Sequence, residues 1–433
     1  MKHLLSFFLF ACFANLLLAQ NAASDLETAL FNLPDVTFKK IDTPDGFQSA
    51  YELKVRQPID HKNPALGYFT QRVFLTHNGF DRPTVICTEG YQRPSNRIYE
   101  LTTLLKGNQL DVEHRYFGES IPQKLDYQYL TLEQETADLH HINEIFRQIY
   151  KGKWLSTGIS KGGQTTIYYR YFYPADVDVA VPYVAPLNQS LEEPRIYAFL
   201  DTVGSDACRA KIKAVQMRLL KNRQEVLGKL GWFAKGADLR FTYLTFEQAF
   251  EYAVLEYQFS FWQMGNDCSK IPDDKAPLDS TIAHFLRVSD LGFFSDEQIS
   301  GYASHYYQAG DQMGYYGYRT EDFKGLLKAL PMNPHPSAIF APGKVPSRFD
   351  GVLPKNVAKW LDDWGNNFIY INGDSDTWSA TAVRPSGKTN AVFFFMPKAS
   401  HAGARIKNMS KAEKEKLVNT LENWLGMKIE AAP

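Results

Sequence analysis

The stretch WLSTGISKGGQTTIYYRYFYP, Trp154–Pro174, places one serine between two glycines. Upstream, KWLST reads as a short buried strand; downstream, KGGQTTIYYRYFYP reads as a helix closed near Pro174. Gly158-Ile159-Ser160-Lys161-Gly162 therefore falls on a strand-to-helix turn. Such a turn crowds the backbone, so the residues two before and two after its centre must be small. The turn lifts Ser160 clear of the sheet and aims the first amides of the helix at whatever binds there. A serine held this way suits nucleophilic attack, provided a base and an orienting carboxylate follow.

Working outward, FQSAYELKVRQPIDH and GYFTQRVFLTHN alternate apolar and polar residues around an Asn-Pro turn, as antiparallel edge strands do. RPTVICTEGY and NQLDVEHRYFGES read as buried strands running into loops, and TLEQETADLHHINEIFRQIY as a helix capped by Thr131, with Gln134 three residues on. VDVAVPYVAP is a further strand after the serine's helix. From 190 to 340 the pattern turns helical, with the charged CRAKIKAVQMRLLKNRQEVLGKL and an aromatic run from Phe241 to Trp262. Strands return in NFIYINGD and NAVFFFMPKASH, before the closing helix SKAEKEKLVNTLENWLG. Strands alternating with helices predict a mostly parallel sheet covered on both faces. The expectation is an α/β fold: an α/β-hydrolase core (20–189 and 341–433) with a mainly helical cap (190–340) inserted late in the sheet.

The chain's 433 residues exceed one small core, and a net charge of -1 gives no reason to expect a nucleic-acid partner. MKHLLSFFLFACFANLLLAQ has a basic start, an apolar run and Ala19, the pattern of a signal peptide (1–19) cleaved after Ala19. A membrane anchor would need a longer uninterrupted run, which Asn15 breaks; Phe10 fits poorly beside a lipid-modified Cys12. The mature chain is expected to be secreted or periplasmic. Cys87, Cys208 and Cys268 remain; Cys87 sits in a buried strand, so Cys208 and Cys268, in the same later region, are the expected disulfide. No spacing resembles a zinc or redox motif, and neither metal nor cofactor is expected.

In this fold the order is Ser, then Asp or Glu, then His, each on a loop at the carboxyl end of a strand. After NFIYING come Asp374 and Asp376; after AVFFFMPKAS comes His401, followed by Ala402-Gly403. Asp376 lies further into its loop and is read as the orienter, Asp374 as a turn cap. His114 precedes the serine, the wrong order, while His140 and His141 fall mid-helix and read as surface or packing residues. The oxyanion should take the amide of Lys161 and a second donor from the TEGYQ loop, Gly90 or Tyr91. GxSxG alone recurs by chance; the ordered set on an α/β pattern is the specific signal.

EHRYFGES, GISKGG, NGDSDTW and QPIDHKNPALGYFTQRVFL resemble the secreted serine exopeptidases related to lysosomal Pro-X carboxypeptidase and dipeptidyl peptidase II. TEGY, Lys161 after the serine and SHAGARI are more similar to their bacterial relatives, the prolyl tri- and tetrapeptidyl aminopeptidases of serine peptidase family thirty-seven. The resemblance runs along nearly the whole mature chain. It implies Ser160 as nucleophile, Asp376 as orienter and His401 as base, with Thr377 standing where the lysosomal relatives carry proline. It further implies peptide substrates, and release of short peptides from free N-termini, often after proline. An exopeptidase must bind a terminal ammonium, for which Glu89 and Glu113, at strand ends beside the serine, are the candidates. Glu113 has a plain structural alternative in Arg115 or a set of backbone amides.

Three other readings use the same pattern. A carboxypeptidase would share the triad. An esterase would too, although no glycine-rich HGGG loop is present. A non-catalytic secreted binding protein would be expected to lack a triad member, and none is missing.

Overall fold

Alternation in Ser49–Pro58 (β2) turns Tyr51, Leu53, Val55 and Gln57 to a buried face and leaves Arg56 outside. This strand pairs antiparallel with Tyr68–His77 (β3), Ser49 opposite His77 and Pro58 opposite Tyr68. The pair is not the edge. A further strand, Val36–Ile41 (β1), runs antiparallel outside β2. Its sequence VTFKKI carries two adjacent lysines, the composition of a guarded edge, which hides it from a search for apolar alternation.

A computed structural model describes residues 25–429 except 332–333, 337–339 and 345–346; the leader read over 1–19 lies outside them. The chain divides into two units, one ending at Val181 and taking up again at Glu415, the other running from Pro182 to Lys414. The division does not follow the ends of the helical segment at 190 and 340.

In the first unit the strand order is β1-β2-β3-β5-β4-β6-β7, with Thr84–Thr88 (β4), Asn108–Val112 (β5), Trp154–Ile159 (β6) and Val179–Tyr183 (β7). β4 runs parallel to both β5 and β6, and both β4 and β5 are buried throughout, as parallel strands covered on two faces must be. The helix Leu132–Phe146 lays Leu139, Ile142, Ile145 and Phe146 into a core with Leu53, Val73, Ile86, Leu110 and Trp154. Thr131 Oγ1 accepts from the Gln134 N–H at 3.2 Å, so the cap forms. The Gln134 side chain turns elsewhere, accepting from the His61 N–H and donating to Asp60. His140 and His141 pack and bond within this unit, His140 stacked on Tyr173 and bonded to Asp176, His141 bonded to Gln57.

The second unit is mainly helical until Val352–Trp364, after which come Ile369–Gly373 (β8) and Val392–Met396 (β9). β8 runs parallel to β9 and, through Ile371, to Tyr183 at the end of β7. Parallel strands with helical crossovers, interrupted between β7 and β8 by a helical segment, make this an α/β-hydrolase fold. The central helix of the segment, Phe246–Gln263, starts with a capping box from Thr245 and Gln248 and is buried on nearly every side. It packs Phe250, Tyr252, Tyr257, Phe259 and Phe261 among Phe285, Phe294, Tyr306, Tyr316 and Tyr318. Cys208 and Cys268 form a disulfide here, 60 residues apart, and Cys87 is a buried thiol. Among the described residues no helix is long and apolar enough to cross a membrane.

One carboxylate sits inside this aromatic core. Glu256 is 5% exposed and accepts from three hydroxyls: Ser260 at 2.6 Å, Tyr316 at 2.8 Å and Tyr318 at 2.9 Å. Burial raises its carboxyl to about 6, and the hydroxyls only partly oppose this.

Two tests follow from this packing. Since the folded Glu256 holds its proton more tightly than the unfolded chain does, its contribution is full below the ordinary carboxyl range and is lost as pH rises through about 6. Urea titrations should show wild type losing about 2 kcal/mol relative to Glu256→Gln between pH 4 and pH 8; a pH-independent difference would mean that the carboxyl does not titrate there. Cys208→Ala combined with Cys268→Ala should lower stability by up to about 4 kcal/mol, the closure entropy of a loop this long. Alkylation of the unreduced, denatured protein followed by peptide mapping should label Cys87 and leave the other two joined.

Candidate active site

β6 ends at Ile159 and the next helix, Lys161–Phe172, begins two residues later. Ser160 bridges them with φ 59° and ψ -122°, in a region that side-chain-bearing residues seldom occupy. The flanking glycines are sterically required. A Cβ on Gly158 would lie 2.3 Å from the carbonyl oxygen of Gly162, and one on Gly162 would lie 2.3 Å from that of Thr88. Thr88, the last residue of β4, ties the turn down: its hydroxyl lies 2.7 Å from both the Gly162 carbonyl oxygen and the Thr166 hydroxyl. Sequence reading passed over Thr88, whose role shows only once β4 is seen to run beside β6.

Immediately beyond Thr88 lies the expected oxyanion loop. A Cβ on Gly90 would meet the Lys161 side chain at 2.6 Å, so the loop lies directly on the residue that follows the serine. The Tyr91 carbonyl accepts from the His114 N–H at 3.2 Å, and the Tyr91 ring meets Phe117 edge-on. His114 itself is buried against Glu135, 2.5 Å from Nε2 to the carboxylate.

The two carboxylates expected to meet a substrate ammonium already have partners of their own. Glu89 Oε1 lies 2.9 Å from Arg93, 2.9 Å from Arg97 and 2.5 Å from the Tyr99 hydroxyl. Burial works against its ionisation, but the two arginines outweigh it and hold the carboxyl below its usual range. Its neighbour Asp111, wholly buried, is pushed well above the usual range by that burial and by the Glu89 charge. Glu113 is fully buried and accepts from the Arg93 N–H at 2.7 Å, the Glu119 N–H at 2.8 Å and the Ser120 hydroxyl at 2.9 Å. Arg115 is engaged elsewhere, bidentate to Asp138 at 2.7 Å. Both glutamates are thus already engaged by arginines, a phenol or amides of the loops that carry them.

In the second unit, Asp376 and His401 come together. Asp376 Oδ2 lies 2.7 Å from His401 Nδ1, and the carboxylate is wholly buried while the imidazole is 15% exposed. A carboxylate only accepts, so Nδ1 carries the hydrogen and Nε2 is left as the acceptor, the tautomer a general base needs. The other oxygen of Asp376 accepts from the Trp378 N–H at 3.1 Å. Asp374 faces another way: its carboxylate accepts from the Lys398 N–H at 2.6 Å and from Ser375 at 3.0 Å. It closes the turn between the loops that follow β8 and β9.

Both loops hang from the last turn of Phe246–Gln263. The Phe259 carbonyl accepts from the Thr377 hydroxyl at 2.9 Å, and the Gln263 carbonyl, left open by the end of its helix, accepts from the His401 N–H at 3.0 Å. Trp378 packs edge-on against Phe259 and Tyr316. The helix that closes the aromatic run from Phe241 to Trp262 therefore also moors the loops of Asp376 and His401.

Several known proteins are similar to this chain. The chain is 32% identical over 413 residues to the Prolyl tri/tetrapeptidyl aminopeptidase of Streptomyces mobaraensis, covering 93% of this chain and 86% of that protein. A shorter match, 38% identical over 102 residues, joins it to Serine protease vicPb of Bipolaris victoriae, with 20% of this chain and 19% of that protein covered. A proline iminopeptidase structure from Mycobacterium smegmatis is similar with a TM-score of 0.41 at 10% identity, over 86% of this chain and 97% of that one. The profile of the PS-10 peptidase S37 family matches residues 19–432. The chain belongs to that family and is a serine peptidase.

Proposed function

We propose that this chain is a secreted exopeptidase that releases short peptides, chiefly tripeptides, from free N-termini, in part after proline, through an acyl-enzyme on Ser160. The observation that carries the catalytic part is the Asp376–His401 hydrogen bond of 2.7 Å, made by an imidazole whose other nitrogen is free of that carboxylate. In this reading His401 Nε2 takes the proton of Ser160 as its oxygen attacks the peptide carbonyl. Asp376 holds the ring and stabilises the imidazolium that forms. The same proton then passes to the leaving amine, and water repeats the sequence on the ester. The developing oxyanion is met by the amide of Lys161 and by one from the Gly90–Tyr91 loop. The direction of cutting is supported by the similarity to an aminopeptidase across nearly the whole chain. Secretion is supported by the apolar leader before Gln20.

Ser160→Ala should abolish both peptide turnover and fluorophosphonate labelling while circular dichroism stays unchanged. Asp376→Asn should lower kcat by roughly 10⁴-fold, as the loss of the orienting carboxylate does in other serine peptidases. Asp374→Asn should cost far less, and the reverse ranking would exchange their roles. For the direction of cutting, one peptide is prepared free or blocked at each end and its products are weighed by mass spectrometry. Acetylating the N-terminus should stop release, and amidating the C-terminus should leave it intact. Loss of activity on amidation alone would instead mark a carboxypeptidase, and cleavage only of short acyl esters an esterase.

A further inference from the structure

The side chain of Lys161 is buried, 3% exposed, directly beneath the loop that follows β4. A buried lysine is costly unless its ammonium is used. Here Nζ donates to the Gly90 carbonyl oxygen at 2.7 Å, 5.4 Å from the centre of the Tyr91 ring and 5.1 Å from that of Phe117. The Gly90 carbonyl and the Tyr91 N–H belong to one peptide unit. Because that unit is planar, fixing its oxygen fixes the direction of its hydrogen, and a cation on the oxygen also polarises the N–H into a stronger donor.

We propose that the Lys161 ammonium clamps the Gly90–Tyr91 peptide so that the Tyr91 N–H serves as the second oxyanion donor. Lys161 thus acts twice, its backbone as a donor and its side chain as a positioning group for the other donor. The inference rests on the acyl-enzyme reading above. The charged and titratable groups facing the ammonium are Glu135 from the helix Leu132–Phe146 and His114 from the loop after β5, themselves paired, together with the Tyr91 phenol of the clamped loop. Burial lowers the ammonium to about 8, with Glu135 opposing. The clamp is therefore charged below that value and released above it.

The test measures kcat and KM from pH 6 to 10 on a tripeptidyl anilide, for wild type and Lys161→Met, with folding followed by circular dichroism. Wild type should lose kcat above about pH 8 at nearly constant KM. Lys161→Met should show a kcat lowered ~10- to 100-fold at pH 7, up to the loss of one oxyanion donor, and a level profile from pH 8 to 10. A variant with near wild-type kcat, with the alkaline fall retained, or with its loss confined to KM overturns the clamp. If the variant does not fold, the rate of fluorophosphonate labelling of wild type decides. That reaction builds charge in the same hole, so it should slow between pH 7 and pH 9.5; an equal or faster rate overturns the proposal. Absence of wild-type turnover at pH 7 would instead remove the acyl-enzyme reading on which the clamp depends.

Discussion

Backbone crowding at one turn sets the conditions for the rest of the first unit. With Ser160 at a positive φ, the strand behind it and the helix ahead of it approach within contact of one another's carbonyls. The cost of such a conformation, of order 1–3 kcal/mol, persists only where the surroundings over-determine it. Those surroundings are visible. Thr88 bonds the turn from the adjacent strand, Gly90 rests on the next side chain, and the glutamates at 89 and 113 bind the two neighbouring loops with arginines and amides. Buried charge beside the turn is thus paired within the loops that flank it.

The serine turn, the aspartate and the histidine were legible in the sequence because each depends on local rules. The turn needs glycines at fixed offsets, and the two partners follow short apolar runs in a fixed order. Asp374 and Asp376 could be told apart by depth in the loop alone, since the nearer one is in reach of the turn amide of Lys398. What stayed hidden depends on neighbours that are distant in sequence. Strand β1 is too lysine-rich to stand out until its partner is known. Glu89 and Glu113 were placed beside the serine, but the groups that occupy them, Arg93, Arg97, Tyr99 and the amides at 93 and 119, come from loop geometry. Lys161 was noticed for its amide, while the burial of its side chain shows only in three dimensions.

Buried carboxylates are held in two ways. In the first, carboxylates meet arginines or backbone amides, and Asp138 with Arg115 is fully satisfied with both partners buried. In the second, Glu256 has only hydroxyls, so it bears burial without a counter-charge. An ion pair offsets desolvation by Coulomb attraction, whereas hydroxyls do so only partly, and this is why burial leaves the Glu256 carboxyl raised to about 6.

The helix Phe246–Gln263 reaches the loops of both Asp376 and His401 through its own carbonyls, at Phe259 and Gln263. Main-chain oxygens are present whatever residue stands at a position. During divergence, side chains of this helix can therefore be exchanged, within what their packing allows, while the imidazole and its carboxylate keep these main-chain contacts. A lineage could then remodel what such an enzyme accepts faster than it remodels how it cuts.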